Sequence, residues 1–121
     1  MTSPDLKSDF TTYKAFWPHY VQEHKNKLNR NFHFVGTTFV FAAFFLGFAQ
    51  SPWFFLAMPF CGYGFAWFGH FVFERNHPAT FSFPLWSLMA DFQMYALMCA
   101  GRMDREVKRM DVLSGPTLVN Q

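Results

Sequence analysis

The chain has 121 residues, a mass of 14.2 kDa and a formal net charge of +2, so it is expected to form one domain, residues 1–121, with no separate regulatory module. Aromatic residues make up 22% of it, 19 of them Phe, while charged residues make up 15%, below the roughly 25% of soluble domains, which suits lipid contact better than a water-facing surface. The basic residues sit in the two ends without aromatic interleaving, which excludes nucleic acid as a partner, and Cys61 and Cys99 form neither a CxxC nor a secreted disulfide pattern, so both are read as reduced and packed.

The segment Met1–Phe10 holds Asp5 and Asp9 and no apolar core, which excludes a secretory signal or an Arg-rich transit peptide. From Phe10 to His24 the residues Phe10, Tyr13, Phe16, Trp17, Tyr20 and Val21 recur at helical steps and describe one apolar face, read as a helix lying on the membrane surface. The polar run Lys25–Arg30, KNKLNR, reads as a turn that reverses the chain.

Forty residues without a charged side chain follow, Phe34–Phe73. Phe34–Ala49 and Trp53–Phe73 are two apolar segments joined by the short connector Gln50-Ser51-Pro52, and they read as antiparallel membrane spans. The expected fold is therefore all-α: an integral membrane helical bundle built on a two-span hairpin, with flanking interfacial helices. Leu85–Gly101 is long enough for a third span, but it contains Ser87, Asp91 and Gln93 and precedes the basic run RMDREVKR. An interfacial or re-entrant helix with Asp91 turned away from lipid is the preferred reading. Residues 102–121 read as a polar tail, frayed from Leu113.

All ten Lys and Arg residues lie outside the hairpin: five before it, Arg75 just after it and four in the tail. By the positive-inside rule both termini are cytoplasmic, with the inner membrane of a bacterium as the expected location. His33, opening the first span, then lies at the same membrane level as His70 and Glu74, which close the second. A turn joins His33 to His24. His70 and Glu74 are four residues apart, so on a helix they share a face and could reach one metal ion or exchange a hydrogen bond. Ionisable groups at this depth are costly unless paired or bound to an ion, which favours function. Imidazoles with one carboxylate suit mononuclear iron(II) or zinc with a bound water; HxxH boxes are absent, which argues against a di-metal site.

Two motifs carry a resemblance. Glu23–His33 reads EHxxxxNRxxH, within the longer order Tyr20-x3-His24-x4-Asn29-Arg30-x2-His33-x2-Gly36, and Gly69–Ala79 reads GHFVFExxxPA, within Gly62–Leu88. Together they resemble the Mpo1-like family of small membrane proteins related to the fungal 2-hydroxy fatty acid dioxygenase, over about residues 10–101. The resemblance implies an iron(II)-dependent enzyme that converts a 2-hydroxy fatty acid and dioxygen to the fatty acid one carbon shorter. It implies His24, His33 and His70 as iron ligands and Glu74 as a fourth ligand or a partner that fixes an imidazole tautomer. Asn29 would cap or orient the turn between ligands, and Arg30 and Arg75 would hold a substrate carboxylate or a lipid phosphate. The chain lacks additional apolar segments that the fungal members have between the motifs. His77 stands where the fungal pattern has a basic residue, and His19 has no counterpart there; they read as an exposed turn position before Pro78 and as a position on the interfacial helix. A non-enzymatic small membrane protein for lipid binding or assembly, whose histidines only pair with Glu74 and Asp91, and a zinc-dependent lipid hydrolase are the competing readings. The aromatic surface of two spans also suits a homodimer.

Overall fold

The first two helices start at side-chain caps. Thr12 Oγ1 accepts from Ala15 N at 3.1 Å and opens α1, Tyr13–Gln22. Asn26 Oδ1 accepts from Leu28 N at 2.8 Å and opens α2, Lys27–Ala49. After a turn at residues 50–53 comes α3, Phe54–Gly69, which continues without a break into a π-helical turn, His70–Glu74. Pro84 stands in the first turn of α4, Pro84–Cys99, where its missing N–H leaves no bond unmade. The last helix is α5, Met103–Val119, with Asp104 and Glu106 in its first turn, where acidic groups oppose the helix dipole. The computed structural model describes residues 10–78 and 81–119, the last six as backbone only, so Met1–Asp9 and motif residue Ala79 lie outside the described residues. Strands are absent from the described residues.

The chain divides into two compact units, His24–Pro78 and the combination of Met1–Glu23 with Ala79–Gln121. In the first, α2 packs along α3 and the π-turn. Gly36, Ala43 and Gly47 are the buried small residues of α2 beyond its first turns. A Cβ on Gly36 would come 2.7 Å from Phe65 Cβ, so the close approach of the two helices needs glycine there. The other faces carry aromatic side chains outward: Phe48 and Phe60 are 73% and 79% exposed, and Phe39, Phe45 and Phe68 are exposed too. Two segments are long and apolar enough to cross a membrane, Lys27–Ala49 and Phe54–Glu74.

The first span thus starts earlier than the sequence suggested. Lys27–Arg30 is helix rather than turn: Asn26 caps, and Asn29 and Arg30 lie buried on the inner face. Only Glu23–Asn26 remain as the link. Polar residues rich in Asn gave the signal of a turn, whereas their helical spacing puts them inside.

In the second unit α1 packs against α4 and α5. Phe16, Trp17, Tyr20 and Val21 are buried with Ala90, Met94, Met103 and Met110. The apolar face read as lying on a membrane is therefore covered by protein, because periodicity reveals that a face is buried and not what buries it. α4 has sixteen residues and falls short of the two candidate spans, and Asp91 is turned inward. The tail is not frayed at Leu113: helix continues to Val119, with Met103 and Met110 buried on its inner side. Both cysteines are free, as expected, but Cys99 is exposed and Cys61 half-buried rather than packed.

Polar bonds fasten α1 to its neighbours. Tyr13 Oη donates to Gln93 Oε1 (2.6 Å), Trp17 Nε1 to Glu106 Oε2 (2.6 Å) and Tyr20 Oη to Asp91 Oδ1 (2.5 Å). Burial pushes the Asp91 carboxyl from its usual 3.8 up to about 7, with the Tyr20 hydrogen bond opposing. Between these values the folded chain holds a proton that the unfolded chain has released. Stability from this group is thus full below pH 4, falls as pH rises through 7 and is flat beyond, a loss of about 4 kcal/mol at most. Thermal midpoints in detergent from pH 4.5 to 8 should fall for the wild type and flatten in Asp91→Asn. A wild-type midpoint that rises over this range would contradict the assignment.

Candidate metal centre

The first unit brings three histidines together from three pieces of backbone: His24 from the link, His33 from the second turn of α2 and His70 from the start of the π-turn. All three are buried, and one donor nitrogen from each lies within 4.8 Å of the others. Their ring centroids are 4.4, 4.6 and 5.0 Å apart, and each pair of rings is near perpendicular, at 78–83°. His24 Nε2 and His33 Nε2 face each other at 3.2 Å.

The rings are held from behind. His33 Nδ1 lies 3.0 Å from the Asn29 carbonyl, which can only accept, so this nitrogen carries the proton and Nε2 keeps its lone pair. His70 Nδ1 lies 2.7 Å from Asn76 Oδ1. Arg30, also buried, donates from Nη1 to the carbonyls of His24 and Lys25, at 2.7 Å each, and so fixes the link that presents His24.

Glu74 ties the ends of the site together. Its Oε2 accepts from Asn26 N at 2.5 Å, at the start of α2 where N–H groups lack helical partners, and from Asn29 Nδ2 at 3.3 Å. Asn26 Nδ2 in turn donates to the Phe73 carbonyl at 3.3 Å. The link carrying His24 is thereby bonded to the turn carrying His70. Asn29 is fully buried, and a Cβ on Gly69 would come 2.1 Å from its Oδ1, which has no hydrogen-bond partner among the described residues. Only glycine lets the π-turn start so close to α2.

The π-turn is the local irregularity that makes the site. It ends at Arg75 in the left-handed conformation, φ 58° and ψ 41°, the sole described residue other than glycine with positive φ. That conformation costs an L-residue roughly 1–2 kcal/mol, so its surroundings must hold it. The Asn76 N–H then closes the turn on the His70 carbonyl at 3.1 Å. π-Helical turns recur at functional sites.

The structure thus unites His24, His33 and His70 as the sequence suggested, and treats the other candidates differently. Glu74 lies outside the imidazole group, with its carboxylate on the start of α2. Arg30 is inside the unit and directed at two carbonyls, whereas Arg75 is exposed. His19 pairs with Glu23 at 3.4 Å, and exposed His77 meets the edge of Phe71; neither joins the group. Asn26, Gly69 and Asn76 were missed. Asn26 was hidden by its place in an apparent turn, while nothing in a six-residue separation links Asn76 to His70.

The donor set fits a single cation. Two nitrogens bonded to one ion at about 2.0–2.1 Å are separated by roughly 3.0–3.4 Å, which brackets the 3.2 Å observed between His24 and His33. Three imidazoles with no carboxylate among them suit zinc, iron, copper or nickel and would leave coordination positions open.

A family model described as 2-hydroxy-palmitic acid dioxygenase Mpo1-like matches residues 10–103, which contain all three histidines and both units' helices up to the start of α5. No curated protein and no solved structure matches the chain.

Proposed function

The chain belongs to the Mpo1-like family, and on that premise we propose that it is an iron(II)-dependent dioxygenase that shortens a 2-hydroxy fatty acid by one carbon. The observation that carries the reading is the buried convergence of three imidazole nitrogens, two of them facing at 3.2 Å. The Nε2 lone pair of His33 faces this group and can be met by an N–H of His24 or by a cation, and three such nitrogens from three pieces of backbone offer one ion a ready set of ligands.

His24, His33 and His70 would hold the metal, which when bound supplies a redox centre and open positions for dioxygen and for the hydroxyl and carboxylate of the substrate. The reaction balances without an added reductant. The C1–C2 bond breaks, C2 becomes the new carboxyl group, C1 leaves as carbon dioxide, and the four electrons released reduce dioxygen, one oxygen atom ending in water. The protein's part is positioning. The Asn29 carbonyl holds the His33 proton on Nδ1, Arg30 fixes the backbone of His24, and Glu74 bonds the link to the π-turn. Arg75, exposed at the end of that turn, would meet the incoming carboxylate.

The hairpin lies in lipid in this reading. Its outward Phe side chains favour a hydrocarbon surrounding, and the basic residues Lys25, Lys27 and Arg75 gather at the end that carries the histidines. That end faces the cytoplasm, and the substrate keeps its chain among lipid tails while its head group reaches the metal.

The test is turnover. Iron-loaded protein in detergent should consume oxygen with 2-hydroxypalmitate and release the fifteen-carbon acid, with one molecule of oxygen used per acid formed. Product formed without oxygen uptake would point to hydrolytic zinc chemistry. No product at all, from protein shown to hold iron, would leave a non-enzymatic membrane protein.

A further inference from the structure

We propose that Asn76 is a positioning residue that fixes the proton of His70 on Nδ1, and that the π-turn with its left-handed exit exists to deliver it. The inference deepens the metal-site reading and rests on it for its purpose, while its geometry stands apart from any metal.

Residues six apart on an α-helix lie about 240° around the axis from one another, so a regular helix through His70 would carry Asn76 away from the ring. Here the wider π-turn ends on Arg75, whose left-handed backbone reverses the chain. Asn76 then folds back over the start of the turn and contacts His70 twice. Its N–H bonds the His70 carbonyl at 3.1 Å, and its Oδ1 meets His70 Nδ1 at 2.7 Å. A single residue both closes the turn and orients the ring.

The chemical consequence is directional. An amide oxygen accepts and cannot donate, so Nδ1 of His70 must carry the hydrogen and Nε2 the lone pair. The ring sits 4.4 Å from that of His24 and 5.0 Å from that of His33. His33 is fixed the same way by the Asn29 carbonyl. Two of the three imidazoles therefore have their tautomers set by oxygen acceptors from outside the group, one from the backbone of α2 and one from a side chain. Outer partners of this kind, when removed, typically weaken metal binding by roughly ten- to a hundred-fold.

Nitrogen-15 imidazole shifts of His70 in metal-free protein, and iron(II) affinity by chelator competition, test the proposal on wild type, Asn76→Ala and Asn76→Asp. Wild type and Asn76→Asp, which keeps an acceptor at the same place, should show the Nδ1–H tautomer and similar affinities. Asn76→Ala should show mixed tautomers and a loss of roughly ten- to a hundred-fold in affinity. If Asn76→Ala fails to fold, Asn76→Gln, whose oxygen is displaced by one methylene, should show the same mixed tautomers. A residue that serves only the turn would leave the His70 shifts of the variants unchanged, and that result overturns the proposal. A wild type that binds no iron, while Asn76→Ala still loses its tautomer preference, would sustain the positioning role and remove the metal from the account.

Discussion

Replacing any one of His24, His33 or His70 with alanine should abolish stable iron binding, with affinity falling by at least about 100-fold and oxygen-consuming turnover lost with it. The magnitude follows from the donor set. With no carboxylate in the imidazole group, removal of one ring leaves only two protein ligands, a larger loss than the ten- to hundred-fold usual for a residue that merely supports a ligand. The three effects should be alike and strongly non-additive, because any two rings without the third no longer make a site. His19→Ala and His77→Ala supply the contrast: the former residue pairs with Glu23 and the latter is exposed, so both variants should bind iron like the wild type. Metal analysis after anaerobic reconstitution, with helix content by circular dichroism as the folding control, separates the two groups. Equal iron retention across all five variants would remove the site.

Gly69→Ala should damage the same site without touching a ligand. The added methyl would stand 2.1 Å from Asn29 Oδ1, closer than any real contact, so either the π-turn or Asn29 must move. Asn29 has little freedom to yield. It is fully buried, its Nδ2 is on Glu74, and its carbonyl holds His33. The expected outcome is a loss of about 1–3 kcal/mol in stability from overpacking, with iron affinity reduced well beyond what that destabilisation explains. Gly64→Ala is the matched control, since a Cβ there meets nothing within 4 Å. Thermal unfolding with and without iron(II) measures both effects: the iron-dependent rise in midpoint should be large in wild type and Gly64→Ala and small in Gly69→Ala. A full rise in Gly69→Ala would mean that the π-turn does not need its close approach to α2.

The hairpin was legible because forty uncharged residues leave few alternatives, and the meeting of His33 with His70 followed from a short far-side connector and antiparallel helices. His24 was reachable for the same reason, being nine residues from His33. What the sequence concealed is the partner of each polar residue. Asn29 and Arg30 looked like turn residues because their composition is that of a loop, yet the helix starts at Lys27 and aims them inward. Glu74 looked like a companion of His70 four residues away, and it instead serves the start of α2. Those bonds join residues 45 and 48 positions apart, beyond the reach of any local pattern. Asn76 depends on a π-turn and a left-handed arginine, neither of which has a sequence signature of its own. In the second unit the apolar face of α1 was correctly placed at Phe16, Trp17, Tyr20 and Val21, and only its partner, α4 with α5 rather than a membrane, required the structure.

If three buried imidazoles form one iron site in this chain, the number of iron atoms it retains reports that site. The wild-type chain, purified in detergent, loaded anaerobically with iron(II) and freed of excess metal, should retain one iron per chain. Retention of none, with the helices intact, would contradict the account.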